Sequence, residues 1–212
     1  MKSSWLSKRG TILSKYATSL SQKSDRVKVT FDYPHCGWMH MHFHKNGIDM
    51  GYIVLSDVYD CFVPIREWLE TIATSHYQQA SIINLDCECF HAVLSYEPIW
   101  FYEENENNAE TYPLDCGIFS VYDEADKEFI LDALCSTETF IREMYQCLIN
   151  FAEAMKLRPE FIDDWVEQSF NEEWAELDDD DPTMNEIFLG KVKSKKIESY
   201  IHRMNDWHKS RR

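Results

Sequence analysis

Five residues in one short stretch are the chain's best set of donors for chemistry: His35, Cys36, His40, His42 and His44. In an extended strand, residues two apart project from the same face. His40, His42 and His44 then form one stripe, and Met39, Met41 and Phe43 form the opposite one. Imidazole and thiolate are zinc donors, and a zinc centre needs three or four of them about 2.0–2.3 Å from one ion. Same-face neighbours on a strand supply two; Cys36, Cys87 or Cys89 could supply more. No CxxC or HExxH spacing accompanies them. Donor types without donor spacing read as a solvent-facing polar stripe over a buried Met/Phe stripe, so no metal and no cofactor is expected. A metal-dependent enzyme built on this strand ranks third among the functional readings.

Nucleophilic catalysis has no firmer footing. Cys36, His35 and Asp32 offer a thiol, an imidazole and a carboxylate, but such triads are defined by geometry. The GxSxG, GxxxxGK(S/T) and GxGxxG patterns are absent, and six glycines leave little for a phosphate-cradling loop. With 37 acidic residues, carboxylate pairs arise by chance. No catalytic residue is nominated, and the chain is not expected to be an enzyme.

A second candidate surface is aromatic and acidic. Trp165, Phe170 and Trp174 stand among Asp163, Asp164, Glu167, Glu172, Glu173 and Glu176, with Asp178, Asp179, Asp180 and Asp181 beyond. Large aromatic anchors inside a charged rim are what protein interfaces favour. The plainer reading is a helix docked on its own core by those aromatics, with the acids as its wet face. The acid run lacks the alternating spacing of an EF-hand calcium loop. The nominated partner-binding residues are Trp165, Phe170, Glu172, Glu173, Trp174, Glu176 and Asp178 to Asp181.

The elements that must position these groups follow from periodicity. Val27, Val29 and Phe31 alternate with polar residues, and Tyr33 to Gly37 reads as a turn before the histidine strand. Asn46-Gly47 predicts a two-residue hairpin returning along Ile48 to Leu55. Ile65, Trp68, Leu69 and Ile72 predict a short helix over 64–73. Strands are expected over 81–85, 89–96, 116–122 and 129–134. The stretch 97–113 reads as an edge strand running into an exposed loop at Glu103 to Glu110. Thr137 is placed to cap the longest helix, which stops before Pro159. Further helices are expected after Pro159 and from about Met184 to Trp207. Hairpins followed by helices predict an α+β fold: an antiparallel sheet of about five to seven strands, helices on one side, and a helical C-terminal extension. The expected division is a basic arm over 1–26, a core over 27–158 and an extension over 159–212, acidic and then basic.

Charge narrows the class of partner. The chain of 212 residues carries a formal net charge of −16. Residues 1–29 hold seven Lys/Arg against Asp25, and 191–212 hold eight against Glu198 and Asp206. The intervening segment holds six bases and 34 acids. Such a field repels nucleic acid and anionic membrane and steers basic proteins inward. Hydrophobic content of 44% and aromatic content of 14% mark a chain that buries a core. Seven cysteines without framework spacing fit a reducing, cytoplasmic setting, and no apolar run reaches the length of a membrane span.

The stretch Phe31-Asp32-Tyr33-Pro34-His35-Cys36-Gly37-Trp38, with Asp57-Val58-Tyr59-Asp60 and Trp68-Leu69-Glu70, resembles small bacterial proteins of the polymorphic-toxin immunity type. The resemblance spans roughly 30–155 and carries over no catalytic residue; the basic C-terminal extension departs from it. It implies a compact acidic inhibitor that masks a basic toxin or effector, which is the first-ranked function. An adaptor or structural subunit of a larger bacterial, defence-type assembly ranks second.

Overall fold

A computed structural model of the chain describes residues 24–57, 60–74, 80–88, 90–105, 108–155 and 183–210. The first sheet is a meander of β1 (Val27–Phe31), β2 (Trp38–Lys45) and β3 (Ile48–Ser56), all antiparallel. Asn46 and Gly47 close the β2–β3 turn with φ of 55° and 84°, as a type I′ hairpin demands. Helix α1 (Phe62–Thr74) follows, with the Asp60 carboxylate accepting from the amides of Phe62 at 2.9 Å and Val63 at 3.3 Å. That is an N-cap.

The second sheet is the meander β4 (Ser81–Cys87), β5 (Phe90–Asn105), β6 (Asn108–Asp123) and β7 (Glu128–Ser136). The helices α2 (Thr137–Met155), α3 (Thr183–Val192) and α4 (Lys195–Ser210) complete the described elements. The fold is α+β, as periodicity predicts. The seven strands among the described residues form two sheets of three and four, however, because β3 and β4 share no ladder.

The inner faces of both sheets meet the helices in one core. Met39, Met41 and Phe43 of β2 and Leu94 and Phe119 of the second sheet are buried with Leu69 of α1 and Phe140 of α2. Phe140 is its aromatic centre: Tyr96 stacks on it at 4.9 Å, Phe119 lies at 4.8 Å and Trp68 meets it edge-on at 5.8 Å. Phe188, Leu189, Val192, Ile197 and Tyr200 bring α3 and α4 into this same cluster. Polar ties close the seam between the sheets. Lys45 donates to the Asp132 carbonyl at 2.8 Å and pairs with Asp25 at 3.0 Å, while Asp25 accepts from the Leu134 amide at 3.1 Å.

Three local expectations change. The stretch 97–113 is not an edge strand running into a loop: β5 and β6 pair continuously out to Asn105 opposite Asn108, interrupted by an irregularity at Pro98–Trp100. Proline has no N–H to give a ladder, and it sits just beyond Tyr96, where pairing with β4 ends. The cap of α2 is Ser136, whose hydroxyl accepts from the Thr139 amide at 3.5 Å. Thr137 is instead buried, accepting from the Tyr96 hydroxyl at 2.8 Å. The C-terminal helix is two helices: Ser194 breaks it, caps α4 through the Ile197 amide at 3.2 Å, and donates to Glu70 at 2.7 Å.

Candidate metal centre on the outer face of the first sheet

The register of β1, β2 and β3 decides which side chains meet outside. Thr30 stands opposite His42 and Lys28 opposite His44, so the even-numbered residues of β1 share the histidine face. The Asp32 amide donates to the His40 carbonyl at 3.0 Å, which carries the pairing one residue beyond β1. Asp32 therefore stands beside His40 on the outer face. From the other side, β3 sets Tyr52 opposite His42.

The result is a convergent group. One carboxylate oxygen, Asp32 Oδ2, lies 3.1 Å from His40 Nδ1 and 3.0 Å from His42 Nε2. All three donor atoms lie within 4.8 Å of one another. The Tyr52 ring packs against both imidazoles, its centroid 4.5 Å from that of His40 and 5.3 Å from that of His42. The hydrogen bond from His42 is the largest influence on Asp32 and, helped by His40, holds its carboxyl below the usual value against a smaller opposing effect of burial. His40 and Asp32 stay accessible, with side chains 43% and 51% exposed, while His42 is at 22%.

The other sequence candidates are distributed differently. His44 turns to the Thr30 hydroxyl at 3.3 Å, and Cys36 contacts His35 at 3.5 Å; neither joins the three-member group. Met39, Met41 and Phe43 are buried as the alternation requires. Trp165, Phe170, Glu172, Glu173, Trp174, Glu176 and Asp178 to Asp181 lie outside the described residues, as do Cys89 and nearly all of the basic arm. Asp32 is the site residue that the histidine pattern alone does not expose. Its signal is the alternation of β1: Lys28, Thr30 and Asp32 keep step, and an antiparallel return places them on the histidine face.

Beside this group, a groove of about 470 Å³ runs between β3 and the turn end of β5, β6 and β7. Met50, Tyr52 and Phe90 are exposed along it, and Asp123, Asp126 and Glu128 are among the residues that line it. Trp38 meets Phe90 edge-on at 6.1 Å, joining the groove to the histidine strand. Among the described residues, no helix is long and apolar enough to cross a membrane. In comparisons with known proteins, no family model, no curated protein and no solved structure matches the chain.

Proposed function

We propose that this chain is an acidic, cytoplasmic protein-binding protein of the immunity or antitoxin type, which captures and masks a basic toxin or effector and catalyses no reaction itself. The observation that carries this reading is the groove beside β3. Exposed Met50, Tyr52 and Phe90 offer apolar anchorage, and Asp123, Asp126 and Glu128 line the groove on its β6–β7 side. Aromatic anchors supply holding energy at an interface, while rim charge supplies steering and selects against acidic surfaces. The excess of acid over 30–190, 34 acids against six bases, adds to that field, and the net charge is −16. Trp165, Phe170 and Trp174, with the acids from Glu172 to Asp181, are the sequence's own candidates for a second contact with the same partner.

The test is capture at low salt from the organism that encodes the chain, eluted with rising salt, comparing native protein with Met50→Asp and with the double variant Asp126→Lys/Glu128→Lys. The reading expects one basic protein, retained in stoichiometric amount by the native chain and lost or released at lower salt by both variants. Capture that ignores these substitutions, or an acidic partner, would remove the groove from the proposal. Several partners retained together would favour the assembly-subunit reading instead.

A further inference from the structure

We propose that Asp32, His40 and His42 form a binding site for a single divalent first-row transition metal ion, and that Zn²⁺ is the ion this donor set suits best.

Four donors arranged tetrahedrally about 2.0–2.1 Å from zinc lie roughly 3.3–3.4 Å from one another. Asp32 Oδ2 is already 3.0 Å from His42 Nε2 and 3.1 Å from His40 Nδ1, and the third edge of the triangle is within 4.8 Å. Closing on an ion at the middle of that triangle needs side-chain shifts of a few tenths of an ångström along the two carboxylate edges. His40 and His42 lie on β2, and Asp32, one residue beyond β1, is tied to it by the bond from its amide to the His40 carbonyl. Tyr52 packs on both rings and limits how far either can swing.

The chemistry of the donors selects the class of ion. Two imidazoles and one carboxylate suit zinc, and also iron, nickel and copper. Magnesium and calcium prefer six or more oxygens, of which this site offers one carboxylate. Without an ion, both rings point a nitrogen at the same carboxylate oxygen, so each must present an N–H there. Capture of the ion shifts that proton to the other ring nitrogen: His40 then binds through Nδ1 and His42 through Nε2. Three protein ligands leave one tetrahedral position on the solvent side, which water fills.

The chain supplies its own controls. His91 with Asp86 at 3.4 Å, His202 with Asp206 at 3.2 Å and His208 with Glu138 at 2.7 Å are histidine–carboxylate pairs that, among the described residues, form no convergent group of three donors. If a histidine beside a carboxylate were enough, these would bind as well.

The experiment uses full-length, untagged protein stripped of metal and titrated with Zn²⁺ in competition with a chromophoric chelator, so it stands apart from any partner. One equivalent is expected to bind, with excess Mg²⁺ failing to displace it. His40→Ala or His42→Ala should weaken binding by at least about 10- to 100-fold, the loss that even outer-shell partners of a metal produce. Histidine side-chain NMR of the native protein gives a readout independent of any variant's folding. Of eight imidazoles, those of His40 and His42 should move with one equivalent of Zn²⁺, while those of His91, His202 and His208 stay still. No binding at about 100 µM free Zn²⁺, undiminished binding in the His40→Ala/His42→Ala protein, or shifts centred on the control pairs would each overturn the proposal.

Discussion

The hydroxyl of Tyr145 accepts a hydrogen bond of 2.8 Å from the backbone amide of Ser194, 49 residues away, and donates to Glu198 at 3.1 Å. One phenol on α2 thus fixes the break between α3 and α4. Ser194 is 2% exposed, so its amide has no water to turn to. Tyr145→Phe should leave that donor unsatisfied and cost about 1–3 kcal/mol. The expected outcome in urea is a lower midpoint with an unchanged slope. An unchanged midpoint would mean that the break is held elsewhere, through Ser194 and Glu70.

The same phenol makes the fold sensitive to alkali. Burial pushes the Tyr145 hydroxyl up to about 12, and burial also pushes Tyr96 well above the usual tyrosine value. The unfolded chain ionises its tyrosines near pH 10. A group whose folded value is raised contributes stability that is intact below the unfolded value and lost as pH climbs towards the folded one. Stability should therefore fall between about pH 10 and pH 12. The fall should be shallower in Tyr145→Phe, as read by denaturant midpoints across that window. Equal slopes in the two proteins would remove Tyr145 from the account.

Burial also sorts the thiols. Cys36 is exposed, whereas Cys61 and Cys135 are buried, and burial pushes Cys135 and Cys147 up to about 12. Thiolate is the reactive form, so a buried, neutral thiol is slow even when a reagent reaches it. Brief alkylation at pH 8 followed by peptide mapping should label Cys36 and leave Cys61, Cys135 and Cys147 unmodified until denaturant is added. Early labelling of Cys135 would show that the seam between the sheets opens under native conditions.

Much of this architecture is legible in local pattern. The Asn46-Gly47 turn sets the β2–β3 register, and the alternation of Met39, Met41 and Phe43 with the histidines is enough to name the buried face. The helical spacing of Ile65, Trp68, Leu69 and Ile72 matches α1, and all four are buried. What is not legible depends on partners distant in sequence. Glu103 to Glu110 has the composition of a loop, yet the facing strand extends the ladder through it, since pairing overrides β-propensity. The kink at Ser194 answers to Tyr145 and Glu70, which no window around residue 194 contains. Asp32 is half legible: alternation gives its face, but only the continued pairing with His40 gives its distance from the imidazoles.

Gly117 of β6 has no room for a side chain. A Cβ there would lie 2.5 Å from Tyr96 Cζ, 2.6 Å from its hydroxyl and 2.7 Å from the Glu97 carbonyl oxygen. Tyr96 cannot move aside cheaply, because it stacks on Phe140 at 4.9 Å and donates to the buried Thr137 hydroxyl at 2.8 Å. The Glu97 carbonyl belongs to the paired backbone of β5. Gly117→Ala should then cost about 1–3 kcal/mol or more through overpacking. Gly47→Ala offers the contrast: its φ is +84° and nothing lies within 4 Å, so its cost is conformational alone, about 1–2 kcal/mol for a left-handed residue. Adding Tyr96→Phe separates the two costs. Removing the hydroxyl relieves the contact at 2.6 Å and should recover part of the Gly117→Ala loss, while Gly47→Ala should gain nothing from it. Thermal melts of the single and double variants measure this coupling. Strict additivity at Gly117 would show that the ring carbon Cζ and the Glu97 carbonyl, and not the tyrosine hydroxyl, set the limit.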